Sequence, residues 1–279
     1  MIAIELTRQV RRARGWVTLA VMAGLALVVA SVIALTRPTV PERLGDWGSV
    51  VTNTTGFTAP LIVVNALLLF FFPLAVAIFA GEPVAAEAEW GSLRYLLARP
   101  VARWRVLASK TAVAAIFSVA AIVVAVVASM ALGLAAYGYR PLTVLDLQHT
   151  TPFHVAAATF SAPAALAGLG LTVAFVAATL ASTFAFSLFL STITIRPFSA
   201  VAGGVGLSLF SRALDNVPGL HALSGWLPVT DAGTTAWTGF FTVPAQVGAV
   251  GHALVVQGVY AAVLLGAAFL WFTRADVLA

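Results

Sequence analysis

From Thr111 to Ala136 the chain runs for 26 residues without one ionisable side chain. At a rise of about 1.5 Å per residue, such a helix is longer than the ~30 Å hydrocarbon core of a bilayer. Similar runs recur at Trp16–Leu35, Leu61–Ala80, Ala162–Ile195, Phe198–Ser211 and Val250–Thr273. Hydrophobic residues make up 61% of the 279 and charged residues only 9%, where a soluble domain carries about a quarter. Too few polar groups remain to cover a globular surface. The expected fold class is therefore an all-α polytopic membrane protein with six spans in one transmembrane domain, residues 1–279.

The spans are unequal. Pro73, after Phe70-Phe71-Phe72, is expected to kink the second. The fourth is longer than a crossing needs, and the fifth, after the Arg196-Pro197 turn, is short. Residues 1–15 predict an interfacial helix: Ile2, Leu6, Val10 and Ala13 recur at helical spacing, with Arg8, Arg11, Arg12 and Arg14 largely elsewhere. Residues 137–161 are expected to be a loop, with Tyr137 and Tyr139 in an aromatic belt. Residues 212–249, with Trp226, Trp237, Phe240 and Phe241, predict an extracytoplasmic, partly re-entrant loop. With the N-terminus inside, eleven basic residues fall on the inner side and four (Arg37, Arg43, Arg140, Arg212) outside. That bias predicts a multi-pass protein of a bacterial or archaeal inner membrane with both termini cytoplasmic.

No Asp, Glu, Lys, Arg or His falls in the interior of these spans, so the coupling groups of a gradient-driven carrier are not visible. The only lysine lies in Ala108-Ser109-Lys110-Thr111, which lacks the glycines of a phosphate-binding loop. Catalytic and metal-ligating residues are not expected. Cysteine is absent, and His149, His154, His221 and His252 are loop histidines without the thiolate or carboxylate company of a metal site. Asn65 and Gln257 are polar groups inside spans, placed to bond another helix or to face a substrate. Small residues on the fifth span (Ser199, Gly203, Ala200, Gly204, Ser208) suit close helix packing.

Residues 81–110 stand apart. They hold eight of the 25 formal charges: Glu82, Glu87, Glu89, Arg94, Arg99, Arg103, Arg105 and Lys110. A dense charged segment between two spans sits in water, on one side, open to a partner. Gly91 is expected to interrupt a helix begun near Pro83, and Ser92 to cap the next turn. Leu93, Leu96 and Leu97 share a face of that turn, with Arg94 beside them, and Pro100 ends it. The sequence Glu87-x-Glu89-x-Gly91-Ser92-Leu93, then Leu96-Leu97, Pro100-Val101-x-Arg103 and Lys110, resembles the cytoplasmic loop of ABC type-2 transporter permeases. That pattern reads Glu-x-Glu-x-Gly-Thr-Leu, a Leu pair, Pro-Val-Ser-Arg and Gly-Lys; here Ser92 replaces Thr, and Ser109 replaces the Gly before Lys110. Outside 81–110 the resemblance lies in architecture alone.

The resemblance implies an exporter's membrane subunit rather than an enzyme. Two copies, or a copy and a paralogue, would enclose a pathway lined by the second and fifth spans. Two ABC ATPase subunits would bind ATP and Mg; this chain would carry no cofactor of its own. Glu87, Glu89, Gly91, Ser92, Leu93, Arg94, Leu97 and Pro100 would form the ATPase-coupling helix, with Arg103 and Lys110 as headgroup anchors. The apolar interior suggests a hydrophobic or amphipathic substrate, and no partner role for nucleic acid is expected. The alternative is a membrane receptor or scaffold that binds a cytoplasmic partner through 81–110 without transport.

Overall fold

The computed structural model describes residues 2–36, 55–92, 101–151, 154–215, 217, 225–230, 236–241 and 248–274. Helix α1 (Ile2–Val10) turns at Arg11-Arg12 into α2 (Ala13–Thr36). Leu19, Met22, Ala26, Ala30 and Ile33 are buried along α2. Their spacing of three and four residues makes one narrow seam, and it lies mainly against α5 (Arg103–Tyr137). The other faces of α2 leave Val17, Val21, Val28 and Val32 exposed, as lipid-facing residues are. The two helices run parallel: Gly15 lies beside Phe117, and Tyr137 Oη donates to the Ile33 carbonyl at 2.7 Å near their far ends. The 35-residue α5 is about 52 Å long, so its first two turns extend past a single bilayer crossing.

The expected second span is two helices, α3 (Thr58–Leu68) and α4 (Phe71–Glu89). Pro73 does not kink a continuous helix. The chain breaks at Leu69-Phe70 and restarts so that Pro73 occupies the first turn of α4, where a missing N–H costs nothing. The second proline behaves differently. The expectation of a separate helix beginning near Pro83 is corrected: α4 runs through Pro83 without a break. Ser191 explains how, because its Oγ accepts the backbone N–H groups of Val84 and Ala85 at 3.3 and 3.0 Å. A neighbouring hydroxyl thus satisfies donors next to the proline.

Where a loop was expected at 137–161, the chain forms a hairpin. Strand β1 (Leu142–Thr151) pairs antiparallel with β2 (His154–Phe160), Leu142 opposite Phe160 and Asp146 opposite Ala156, with an irregularity between Asp146 and Thr151. Leu142 and Val144 are buried, and the Phe160 ring meets that of Phe241 edge-on at 5.9 Å. The long fourth span bends at Leu180 between α6 (Ala162–Thr179) and α7 (Ala181–Ile193). The short fifth span is longer than expected: α8 is Pro197–Asp215. The last helix, α9, is Gly248–Arg274.

Among the described residues, five stretches are long and apolar enough to cross a membrane: Ala13–Leu35, Phe71–Glu89, Arg103–Tyr137, Ala162–Ile193 and Val250–Arg274. Helix α8 is outside that set, since its serines, glycines, Arg212 and Asp215 dilute its apolar residues. It nonetheless packs one face against the bundle, antiparallel to α4, while Phe198 and Phe210 on its other faces are exposed. A Cβ on Gly204 would overlap Ser187 Oγ, one on Gly203 would overlap Leu190, and one on Gly81 would lie 3.1 Å from the Val201 backbone. Thr183 and Ser208 hydroxyls pair across the same seam at 2.8 Å. The small residues therefore let α8 approach α7 and α4 within one chain.

Candidate functional site

The charged residues gather at one end of the bundle, where α1, the end of α4 and the start of α5 meet. Lys110 and Glu87 are 2% and 1% exposed. Lys110 Nζ donates to Glu87 Oε1 at 2.7 Å and to Glu5 Oε1 at 3.1 Å, and Arg8 donates to the same Glu87 oxygen at 3.0 Å. Two cations and two carboxylates thus close a neutral network joining three helices. A buried ion pair is tolerated only with such additional bonds, because desolvating each charge costs several kcal/mol. One atom is left over: Glu87 Oε2 is buried and has no hydrogen-bond partner among the described residues.

Around this network the end of α4 is defined locally. Gly91 adopts φ +66°, in the left-handed region that favours glycine, and terminates the helix. Ser92 Oγ donates to the Glu87 carbonyl at 3.3 Å, so it closes the end of α4. Trp90 is exposed, with the Arg12 and Arg14 guanidinium groups over its ring at 5.6 and 5.8 Å. Arg14 also approaches Glu82 at 3.9 Å, and Arg105 stacks over Trp104 at 5.3 Å.

Of the expected coupling residues, Glu87, Glu89, Gly91 and Ser92 are brought together in the last turn of α4 and its exit. Leu93, Arg94, Leu97 and Pro100 lie outside the described residues. Glu89 is exposed while Glu87 is withdrawn into the network, because on a helix two residues apart point in different directions. Arg103 opens α5, half-buried. Lys110, expected at the headgroups, is turned inward: it lies two turns into α5, on the face where Val106, Leu107, Val113 and Ala114 are buried.

Sequence reasoning missed Glu5 and Arg8 as partners. The signal was present, since Glu5 and Arg8 are three residues apart on α1 and share a face. It also placed Arg212 in an outer loop. Arg212 is 8% exposed in the last turn of α8 and donates to the Leu68 carbonyl at 3.3 Å, at the α3–α4 break. Gln257 bonds rather than lining open space: its amide donates to the Pro228 carbonyl and accepts from the Ser182 backbone N–H at 3.3 Å. His252 Nε2 lies 2.8 Å from the Gly225 carbonyl, and among the described residues no cluster of His, Asp or Glu could hold a metal ion. Trp237 and Phe241, in a 3₁₀ turn at Ala236–Phe241, are buried, and Phe241 abuts Gly168 of α6.

The family model described as ABC-2 family transporter protein matches residues 1–277. No curated protein matches the sequence.

Proposed function

The chain belongs to the ABC-2 family of transporter proteins, and from that premise we propose that it is the membrane subunit of an ATP-driven exporter, working as a dimer with two separate ATPase subunits. The charged end of the bundle is its cytoplasmic face. ATP and Mg are bound by the partners, and the substrate is hydrophobic or amphipathic. The observation that carries this proposal is the buried Glu5–Lys110–Glu87–Arg8 network. It ties α1, α4 and α5 into one unit immediately before the segment 89–100. A push delivered on that segment would be passed to three helices at once rather than absorbed by a flexible loop.

The roles divide by exposure. Glu89, Gly91, Ser92, Leu93, Arg94, Leu97 and Pro100 are the residues that the ATPase engages. Glu87 holds that turn to the bundle through Lys110, and Arg103 with Arg105 sits at the lipid headgroups. The ion-pair network and the match over residues 1–277 support this division. Affinity purification from mild detergent tests the assembly: a separately encoded ATP-binding-cassette subunit is expected in stoichiometric amount. A chain recovered alone, and active alone, would overturn it.

A further inference from the structure

The patch formed by Arg12, Arg14 and Trp90 is not used by the ion-pair network. We infer that it is a binding site for an anionic glycerophospholipid. The argument starts from charge. Glu5 and Glu87 are satisfied by Lys110 and Arg8, so that cluster is neutral. Among the described residues, the carboxylate that opposes Arg12 and Arg14 is Glu82, whose nearest approach to Arg14 is 3.9 Å, and the Arg14 side chain remains 64% exposed. The guanidinium carbons of Arg12 and Arg14 lie 5.6 and 5.8 Å from the centroid of the Trp90 ring. Contact with one ring brings the two cations to one place, and a guanidinium can bond a phosphate bidentately.

The shape beside the charges identifies the rest of the ligand. Trp16 and Val17, two and three residues beyond Arg14, are more than half exposed, and the exposed wall continues along α2 through Val21. An acidic peptide would match the arginines but not this wall. A phospholipid matches both, with its phosphate on Arg12 and Arg14 and an acyl chain along α2. The excess of positive charge selects a net anionic headgroup over a zwitterionic one near a membrane surface. The site stands independently of the coupling proposal, since it needs no ATPase.

The test uses the full chain in nanodiscs of equal phosphatidylglycerol and phosphatidylcholine, with retained lipids counted by native mass spectrometry. Wild type is expected to enrich phosphatidylglycerol on the order of tenfold. Arg12→Gln plus Arg14→Gln is expected to lose most of that enrichment, while Arg12→Lys plus Arg14→Lys keeps most of it and Arg274→Gln changes nothing. Absence of enrichment in wild type overturns the site without any variant, as does undiminished enrichment in the Gln pair. Displacement of the lipid by a polyglutamate peptide would put an acidic protein on the patch and overturn it equally. Should the Gln pair fail to fold, loss of wild-type enrichment on neutralising the lipid charge, by replacing phosphatidylglycerol with phosphatidylethanolamine, reads the same preference; equal retention of both would contradict it.

Discussion

Glu87 is the residue on which most of the charged end depends. It accepts from two cations through a single oxygen, and its burial means neither bond can be replaced by water. Removing Lys110 would leave that carboxylate the half-exposed Arg8 in place of a buried cation. Lys110→Met is expected to destabilise the protein by about 3–5 kcal/mol, the usual cost of breaking one side of a buried pair. Thermal unfolding in detergent would show it, and Glu87→Met added to Lys110→Met should recover most of the loss. If the double variant were less stable than Lys110→Met alone, the pair would not be the source. Arg8, whose side chain is 47% exposed, is a weaker partner, and Arg8→Ala is expected to cost about 1 kcal/mol or less. Local pattern could single out Glu87 and Lys110 but not pair Glu87 with Arg8 or Lys110 with Glu5. Those contacts span 79 and 105 residues, and nothing within a helical turn reports them.

Among the elements, α4 shows best why expectation and structure diverge. A proline inside a helix removes a donor and crowds the preceding turn, so a break at Pro83 was the natural expectation. The hydroxyl that compensates belongs to Ser191, more than a hundred residues away. Ser191→Ala is expected to destabilise by about 1–3 kcal/mol, because two buried N–H groups lose their extra acceptor. Hydrogen exchange should quicken at Val84 and Ala85 and not along α9. The α7–α8 seam gives a second test. Gly204→Val drives a side chain into Ser187 and Ala77 and should lower expression and thermal stability sharply, while Gly206→Ala, which meets open space, should be neutral. The closeness expected from the small residues was legible in the spacing; which helix they meet was not. The hairpin at 142–160 was hidden for a different reason: beside long apolar runs, two short strands with polar residues look like connecting loop.

At the scale of the whole molecule, membrane residence was written in composition, since 9% charge leaves no alternative to lipid as solvent for most of the surface. Four of the five long apolar stretches were legible from length and hydropathy, while Phe71–Glu89 was expected at Leu61–Ala80; α8 was legible as a short span only, because the polarity that shortens it belongs to its packed face. Transporter membership follows from the family match over residues 1–277. Work done by a nucleotide-hydrolysing partner is proposed to enter through the exit of α4. The most direct measurement is substrate-stimulated ATP hydrolysis by the complex reconstituted in proteoliposomes, wild type against Glu89→Arg plus Leu93→Asp. The account predicts that the variant still inserts and unfolds at a near wild-type temperature, since Glu89 is exposed and outside the ion-pair network, yet loses stimulation and export. Full stimulation and export by that variant would contradict it.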